Sequence, residues 1–186
     1  GNRRWARERG WPQATGHAAG AKRVKELVQA CVARGVTCLT LFAFSTENWR
    51  RPRTEVTALM KLLMRYLRKE LGDLHEQGVR LRIIGNINSL DPAMRDLIEH
   101  AHSLTQVNTV FNLNVAVNYG GRWDILQAVR SWQKSNPKCS LDDLDEHQLA
   151  RHLSTGDQPE PDLMIRTGGE IRISNFPLWQ MAYCEM

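Results

Sequence analysis

Residues 44–52, FSTENWRRP, crowd Ser45, Thr46, Glu47, Asn48, Trp49 and Arg51 into one short polar stretch. Burying so many polar groups without partners costs roughly 2–7 kcal/mol each, so the stretch reads as a loop that binds something polar. Downstream, RTGGEIRIS sets Arg166, Arg172, Ile173 and Ser174 about a Gly-Gly turn. Two guanidinium forks, a hydroxyl and flexible Gly-Gly backbone suit an anion. The start of the chain, GNRRWA, offers Gly1, Asn2, Arg3, Arg4 and Trp5, which suit a diphosphate through backbone N–H groups and bidentate arginines. By composition the same set is equally an arm for nucleic acid or a solvated tail. His17, within GHAAGAK, falls near an expected helix start, where partial positive charge favours anions. A plain capping role accounts for it as well. None of these segments has the Walker pattern or GxGxxG, so nucleotide binding lacks a motif.

An alternation of helical and strand patterns has to position these segments. Apolar residues at Ala21, Val24, Leu27, Val28 and Cys31 predict a helix over 16–34 that Gly35 ends. The run 36–43, VTCLTLFA, predicts a strand that empties into FSTENWRRP. Thr54 is expected to cap a long helix reaching Gly78, whose stripe of Val56, Leu59, Met60, Leu63, Leu67, Leu71 and Leu74 reads most simply as core. Leu62 and Tyr66 widen that stripe, which leaves open an apolar tunnel lining. Strands at 79–84, 109–117 and 162–166 follow, with helices near 92–106 and 122–134 and another opening at Ser140. Strands separated by helices predict an α/β fold, a mostly parallel central sheet with helices on both faces, in a single domain spanning 1–186. Ligands of open parallel sheets lie at the carboxyl ends of the strands. FSTENWRRP, NYGGR and RTGGE each follow a predicted strand, so the pattern gathers them along one edge as parts of one site.

Composition bounds the alternatives. Residues 1–53 hold 11 Lys/Arg against 3 Asp/Glu and residues 54–186 hold 14 against 17, so the basic excess is local. It points to an anionic partner: nucleic acid, a membrane surface or phosphorylated small molecules. No RNA- or DNA-binding motif supports the first, and no nucleic-acid partner is expected. No apolar run approaches the roughly 20 residues needed to span a bilayer. GNRRWARERGW has no apolar stretch of a secretory signal, and Cys31, Cys38, Cys139 and Cys184 form no CxxC pair and sit mostly in apolar runs. Reduced, buried thiols in a cytoplasmic protein without a zinc site are expected.

Taken in order, GNRRWA, GHAAGAK, FSTENWRRP, NYGGRWD and RTGGEIRISNFPLWQ closely resemble the undecaprenyl diphosphate synthases, a family of cis-prenyltransferases, and the likeness spans essentially the whole chain. The resemblance implies condensation of isopentenyl diphosphate with an allylic diphosphate, expected to be farnesyl diphosphate, to give a polyprenyl carrier lipid for cell-wall assembly. It implies that Gly1, Asn2, Arg3, Arg4, Trp5, Gln13 and His17 hold the allylic diphosphate. Ser45, Thr46, Glu47, Trp49 and Arg51 would lie close to the reacting carbons, with Asn48 as the catalytic residue. Arg166, Arg172 and Ser174, with Ile173 between them, would hold isopentenyl diphosphate. Magnesium is implied, on Glu185 and on an Asp that the family has immediately before the residue matching Gly1. The family also continues past the position of Met186 with a segment that helps bind isopentenyl diphosphate across a homodimer, so the span from Gly1 to Met186 is expected to be nearly inactive by itself. Membrane contact would be peripheral, through the lipid product.

The same resemblance gives the growing chain to apolar residues of the helices 16–34 and 54–77 and the strands 36–43 and 109–117, with Phe111 a candidate for setting tunnel depth. Two departures weaken phosphate or metal handling: Gln13 stands where the family commonly has Arg, and Ile171 where it has His. They permit a competing reading, a catalytically silent prenyltransferase-like subunit. Retention of Asn48, Arg51, Arg166, Arg172, Ser174 and Glu185 argues against it.

Overall fold

Apolar β-rich runs become strands only where a neighbour takes up their backbone N–H and C=O groups, and three of the four predicted runs find one. In the computed structural model, which describes residues 2–167 and 169–186, β1 (Cys38–Ser45), β2 (Val79–Ile84) and β3 (Phe111–Tyr119) form a parallel sheet in the order β1-β3-β2. Helices α1 (Asn2–Arg7), α2 (Gln13–Ala33), α3 (Arg53–Glu76), α4 (Pro92–Thr105), α5 (Gly121–Ser135) and α6 (Glu146–His152) connect and cover it.

Alternation along the strands sorts side chains onto two faces. Val79, Leu81, Ile83, Phe111, Leu113 and Val117 pack with Val28, Val56, Leu67, Leu71, Met94 and Ile98 beneath α2, α3 and α4. On the other face Ile84, Ala116 and Tyr119 meet Trp123 and Phe176, and Ala128, Leu149 and Leu153 join α5 to α6. Helices thus lie on both faces, as the alternation predicted. Each fully buried aliphatic or Phe side chain here contributes about 1.5–3 kcal/mol. The outer edge of β2 is closed by α4: Leu81 N–H donates to Thr105 Oγ1 over 3.1 Å and Ile83 N–H to His102 Nε2 over 2.7 Å. Burial lowers the His102 pKa, favouring the neutral ring that can accept such a bond.

β1 and β3 begin and end two residues later than their apolar runs predict, and bulges near their carboxyl ends carry polar residues into the ladder. Phe42 pairs with Ala116 and Phe44 with Val117, leaving Ala43 over; Ser45 then pairs with Tyr119, leaving Asn118 over at φ 51. Bulges bend a strand and re-aim its side chains, which is why they recur beside active sites. The fourth predicted strand, 162–166, does not form. Leu163 makes one parallel bridge to Glu185, and Leu163 and Ile165 stay exposed, because no strand among the described residues offers the segment a ladder.

Other differences are local. Thr54 is not a cap: α3 starts at Arg53 behind Pro52, whose fixed φ sets the start without a side-chain bond. α2 starts at Gln13, so His17 lies one turn inside the helix rather than at its N-terminus. The described part of GNRRWA, from Asn2 on, forms α1, seated on α2 because Gly16 and Gly20 leave room: a Cβ at Gly16 would lie 2.2 Å from Asn2 O, and one at Gly20 would lie 2.6 Å from Asn2 Nδ2. The four cysteines are free, Cys139 is exposed, and Cys31, Cys38 and Cys184 are half-buried rather than buried.

The α3 stripe is core at Val56, Leu67, Leu71 and Leu74, whereas Leu59, Met60, Leu63 and Met64 are half-buried, as are Val24, Cys31, Leu39 and Leu41. Together they give α2, β1 and α3 an apolar lining. Between α2 and α3, a small cleft of about 10 Å³ lies at Val28, Tyr66 and Leu74, with Lys25 and Asp73 also lining it, and Phe111 is packed into the core at 1% exposure. No described helix is long and apolar enough to cross a membrane.

Candidate active site

Parallel pairing sets the carboxyl ends of β1 and β3 side by side, so the FSTENW segment emerges next to NYGGR. Thr46–Arg50 folds into one 3-10 turn directly off β1. Ser45 and Asn48 close a capping box in which Ser45 N–H donates to Asn48 Oδ1 over 3.1 Å. With Oδ1 engaged, Nδ2 is the end of Asn48 that can meet a ligand. Trp49 Nε1 donates to Asn118 Oδ1 over 2.7 Å, and Phe44 packs edge-on against the Trp49 ring. Asn118 Nδ2 donates in turn to Asn86 O and Ser89 Oγ, at 2.9 and 2.7 Å. Glu47 Oε1 accepts from Asn175 Nδ2 over 2.8 Å. Partial burial pushes the Glu47 carboxyl up, but the bond from Asn175 and those within its own turn outweigh it and hold the pKa below the usual range. A carboxylate so stabilised is a weak base.

The third segment reaches the same edge although no strand carries it. Asn175 O accepts from Gly121 N–H over 2.7 Å, and Asn175 Oδ1 accepts from Arg122 N–H over 3.0 Å. The neighbouring Ser174 Oγ accepts from Arg166 Nη1 over 2.9 Å. The first glycine of NYGGR is fixed by this approach: a Cβ at Gly120 would lie 2.5 Å from Asn175 Nδ2 and 2.9 Å from Thr46 Oγ1. The three segments therefore meet along one edge, the first two at the ends of β1 and β3 as the strand pattern predicted and the third through Asn175 rather than from a strand.

Basic side chains gather in two groups, each closed on one carboxylate. Around Glu55 stand Arg51 Nη1 at 3.0 Å, Arg3 Nε at 3.6 Å and His17 Nε2 at 4.0 Å. Around Glu170 stand Arg4 Nη2 at 3.1 Å and Arg172 Nη2 at 2.6 Å. Arg172, with smaller help from Arg4 and Arg166, holds the Glu170 carboxyl below its usual range. Burial, then the Arg51 and Arg3 charges, lower the His17 pKa against the pull of Glu55, and its Nε2 is buried without a hydrogen-bond partner. Arg3 and Arg4, adjacent on α1, thus reach different groups, and an anion that displaced either carboxylate would meet guanidinium donors in place.

Not every expected residue converges. Asn2 lies against Gly16 and Gly20 of α2. The Trp5 ring meets Trp11 edge-on at 5.5 Å and carries the Arg9 guanidinium at 4.4 Å. Gln13 is exposed at the start of α2, Ile173 is half-buried, and Ile171 is 91% exposed. Gly1 lies outside the described residues. Glu185 is exposed, its backbone is bridged to 162–164, and no group of three or more His, Cys, Asp or Glu that could hold a metal occurs among the described residues. A lone carboxylate is a hard oxygen donor of the kind Mg²⁺ takes, with substrate phosphates and water completing the shell, so Glu185 fits that ion in kind but not in number. Glu55, Glu170, Asn118 and Asn175 were not singled out by sequence; only Glu55 carried a signal, its i,i+4 spacing from Arg51 at a helix start.

A family model described as "Putative undecaprenyl diphosphate synthase" matches residues 1–186. The isoprenyl transferase of Nitrosomonas europaea is 53% identical over 186 residues, covering 100% of this chain and 70% of that protein. The (2E,6E)-farnesyl-diphosphate specific ditrans,polycis-undecaprenyl-diphosphate synthase of Legionella pneumophila (strain Paris) is 47% identical over 188 residues, covering 100% and 79%. Lavandulyl diphosphate synthase from Lavandula x intermedia, solved in complex with dimethylallyl diphosphate, superposes with a TM-score of 0.93 at 35% identity, over 100% of this chain and 81% of that one. A "probable undecaprenyl diphosphate synthase" from Campylobacter jejuni gives a TM-score of 0.79 at 36% identity, over 90% and 78%. With its motifs in order, its fold shared and the family matched from end to end, this chain belongs to the undecaprenyl diphosphate synthase family of prenyltransferases.

Proposed function

We propose that this enzyme lengthens farnesyl diphosphate with isopentenyl diphosphate to undecaprenyl diphosphate, the lipid that carries cell-wall glycan. The observation that carries the reading is the meeting, on one sheet edge, of two arginine groups with the turn that bears Asn48. The Legionella relative's name supports the starter. The silent-subunit reading is not favoured. Residues 1–186 form one domain in this reading, and the enzyme works in the cytoplasm as a homodimer, touching the membrane only through its product.

In each cycle the C–O bond of the allylic diphosphate breaks and its electron pair leaves with diphosphate. The π pair of isopentenyl diphosphate forms the new C–C bond, and loss of a proton restores a double bond. Arg3, Arg51 and His17 hold the allylic diphosphate and Arg166, Arg172 and Ser174 hold isopentenyl diphosphate, with Arg4 between the two. Their guanidinium groups stabilise the charge that grows on the leaving group. Asn48 Nδ2 donates to a diphosphate oxygen and orients the substrate, while Glu47 stays ionised and leaves the proton to diphosphate. Mg²⁺, taken in part by Glu185 when bound, supplies further positive charge for the departing diphosphate.

The direct test is incorporation of labelled isopentenyl diphosphate by the full-length protein, with farnesyl diphosphate, with and without Mg²⁺. Metal-dependent growth to polyprenyl diphosphate is expected. A folded protein that elongates nothing would remove the enzyme reading and leave a silent subunit.

His17 gives the site a pH signature. Diphosphate next to the ring raises a pKa that burial and Arg51 hold down in the free protein, so binding takes up protons. Calorimetry with inorganic diphosphate near pH 6, in buffers of different ionisation enthalpy, should show an uptake that His17→Gln loses. For stability the sign is set by the same depression: on acidification the unfolded chain protonates first. The His17 contribution is therefore whole above the ordinary value of about 6.5 and is lost as pH falls through it toward the folded value.

A further inference from the structure

Both sequence neighbours of Asn48 are fastened to asparagines with left-handed backbone. Trp49 donates to Asn118, at φ 51, and Glu47 accepts from Asn175, at φ 60. We propose that Asn175 is a positioning residue for the prenyl transfer: it locks the segment carrying Arg172 and Ser174 to the turn carrying Asn48, and so sets the spacing between the two substrates. The inference rests on the reading of that turn as the reaction loop.

Each polar atom of the Asn175 side chain, and its carbonyl, makes a hydrogen bond. Nδ2 donates to Glu47 Oε1 at 2.8 Å, Oδ1 accepts from Arg122 N–H at 3.0 Å, and its carbonyl accepts from Gly121 N–H at 2.7 Å. One residue thereby joins the segments after β1, after β3 and around 174. Ser174 and Asn175 are consecutive non-glycine residues at φ 55 and 60, a sparsely populated conformation that surrounding bonds must hold. Such a conformation turns the chain sharply between Arg172 and Phe176. Ser174 takes Arg166 Nη1 at 2.9 Å while Phe176 stacks on Phe42 of β1 at 4.6 Å. Gly120 clears the space for the amide, since a Cβ there would lie 2.5 Å from Asn175 Nδ2. Asn118 pins the other side of the turn through Trp49, so loss of the Asn175 bond would free the turn at one end only. The expected consequence is misaligned reactants with both arginine groups intact, which lowers kcat more than it raises either KM.

Asn175→Asp keeps an oxygen for Arg122 N–H but sets a second carboxylate against Glu47. In the full-length enzyme, elongating farnesyl diphosphate with labelled isopentenyl diphosphate, kcat should fall by up to about 100-fold, the loss that a misplacement of roughly 1 Å can cause. Adding Glu47→Gln to Asn175→Asp restores the bond with its polarity reversed, Gln donating to Asp, and should recover most of that loss. Asn175→Gly, which keeps the left-handed backbone and the bond from Gly121 while deleting the amide, should match Asn175→Asp with the folding midpoint near wild type, and it stands in if the Asp variant does not fold. A double variant no better than Asn175→Asp, or an Asn175→Gly enzyme with wild-type kcat, overturns the proposal while leaving the prenyltransferase reading intact. Wild-type protein that elongates nothing removes both.

Discussion

Asn48→Asp in the full-length enzyme should lower turnover by about 100- to 1,000-fold, the range measured when one donor to a developing negative charge is removed from an enzyme. The substitution separates the two ends of the amide. Asn48 Oδ1 takes Ser45 N–H at 3.1 Å in the capping box, and an Asp oxygen can do the same, so the turn off β1 should fold as before. What is lost is Nδ2, replaced by an anionic oxygen that faces diphosphate. Asn48→Ala removes both ends and adds the cost of an emptied cap, about 1 kcal/mol. The measurement is steady-state incorporation of isopentenyl diphosphate, read beside the thermal midpoint of each variant. Near wild-type turnover by Asn48→Asp would show that the donor end has no part in the chemistry; equal loss of stability in the Asp and Ala variants would show that the capping box, not the amide, had been broken.

The parts of this molecule that could be read from sequence are those whose cause is local. The stripe of α3 and the apolar runs of β2 and β3 follow from periodicity, and Gly35 ends α2 at φ +73, a conformation open to a residue without Cβ. The meeting of FSTENWRRP with NYGGR followed from one global rule, that parallel strands present their carboxyl ends on one edge, whereas the RTGGE segment is held there without a strand, through Asn175. What could not be read depends on partners far along the chain. The bulges at Ala43 and Asn118 exist only in the pairing of β1 with β3, and the apolar run 162–166 has strand composition without a ladder to join. Glu47 and Asn175 are 128 residues apart, and Arg4 reaches Glu170 from the other end of the chain. Motif resemblance could mark the segments, but not that Arg3 and Arg4, adjacent on α1, would serve different cation groups.

The same long-range logic puts the largest stability effect at Asp124, a carboxylate with no solvent exposure and several donors. Tyr119 Oη donates to it at 2.8 Å, Gln127 Nε2 at 3.1 Å, Gln180 Nε2 at 3.2 Å, and Ser154 through its N–H at 3.0 Å and its hydroxyl at 2.6 Å. These donors come from the end of β3, from α5, from the loop after α6 and from the segment that follows Asn175. Burial, then the neighbouring Asp124 charge, push the Tyr119 hydroxyl far up, so it remains a neutral donor at every working pH. Asp124→Ala would leave these groups buried without an acceptor, at about 1–3 kcal/mol for each that water cannot reach. With partial relaxation the net loss should be about 3–5 kcal/mol, which lowers the midpoint of a chain this size by on the order of 10 °C. Asp124→Asn keeps one oxygen for Ser154 but turns an amide N–H toward Gln180, so it should lose less. Tyr119→Phe, which removes a single donor and leaves the carboxylate otherwise satisfied, should lose least. Thermal or urea unfolding of the three variants tests the order, and a Tyr119→Phe loss as large as that of Asp124→Ala would mean that ring packing, not the carboxylate, joins these segments. Because Gln180 lies on the chain that leads back to Asn175, Asp124→Ala should also lower kcat at temperatures where it is still folded, which ties the buried knot on the second face of the sheet to the reaction loop at its edge.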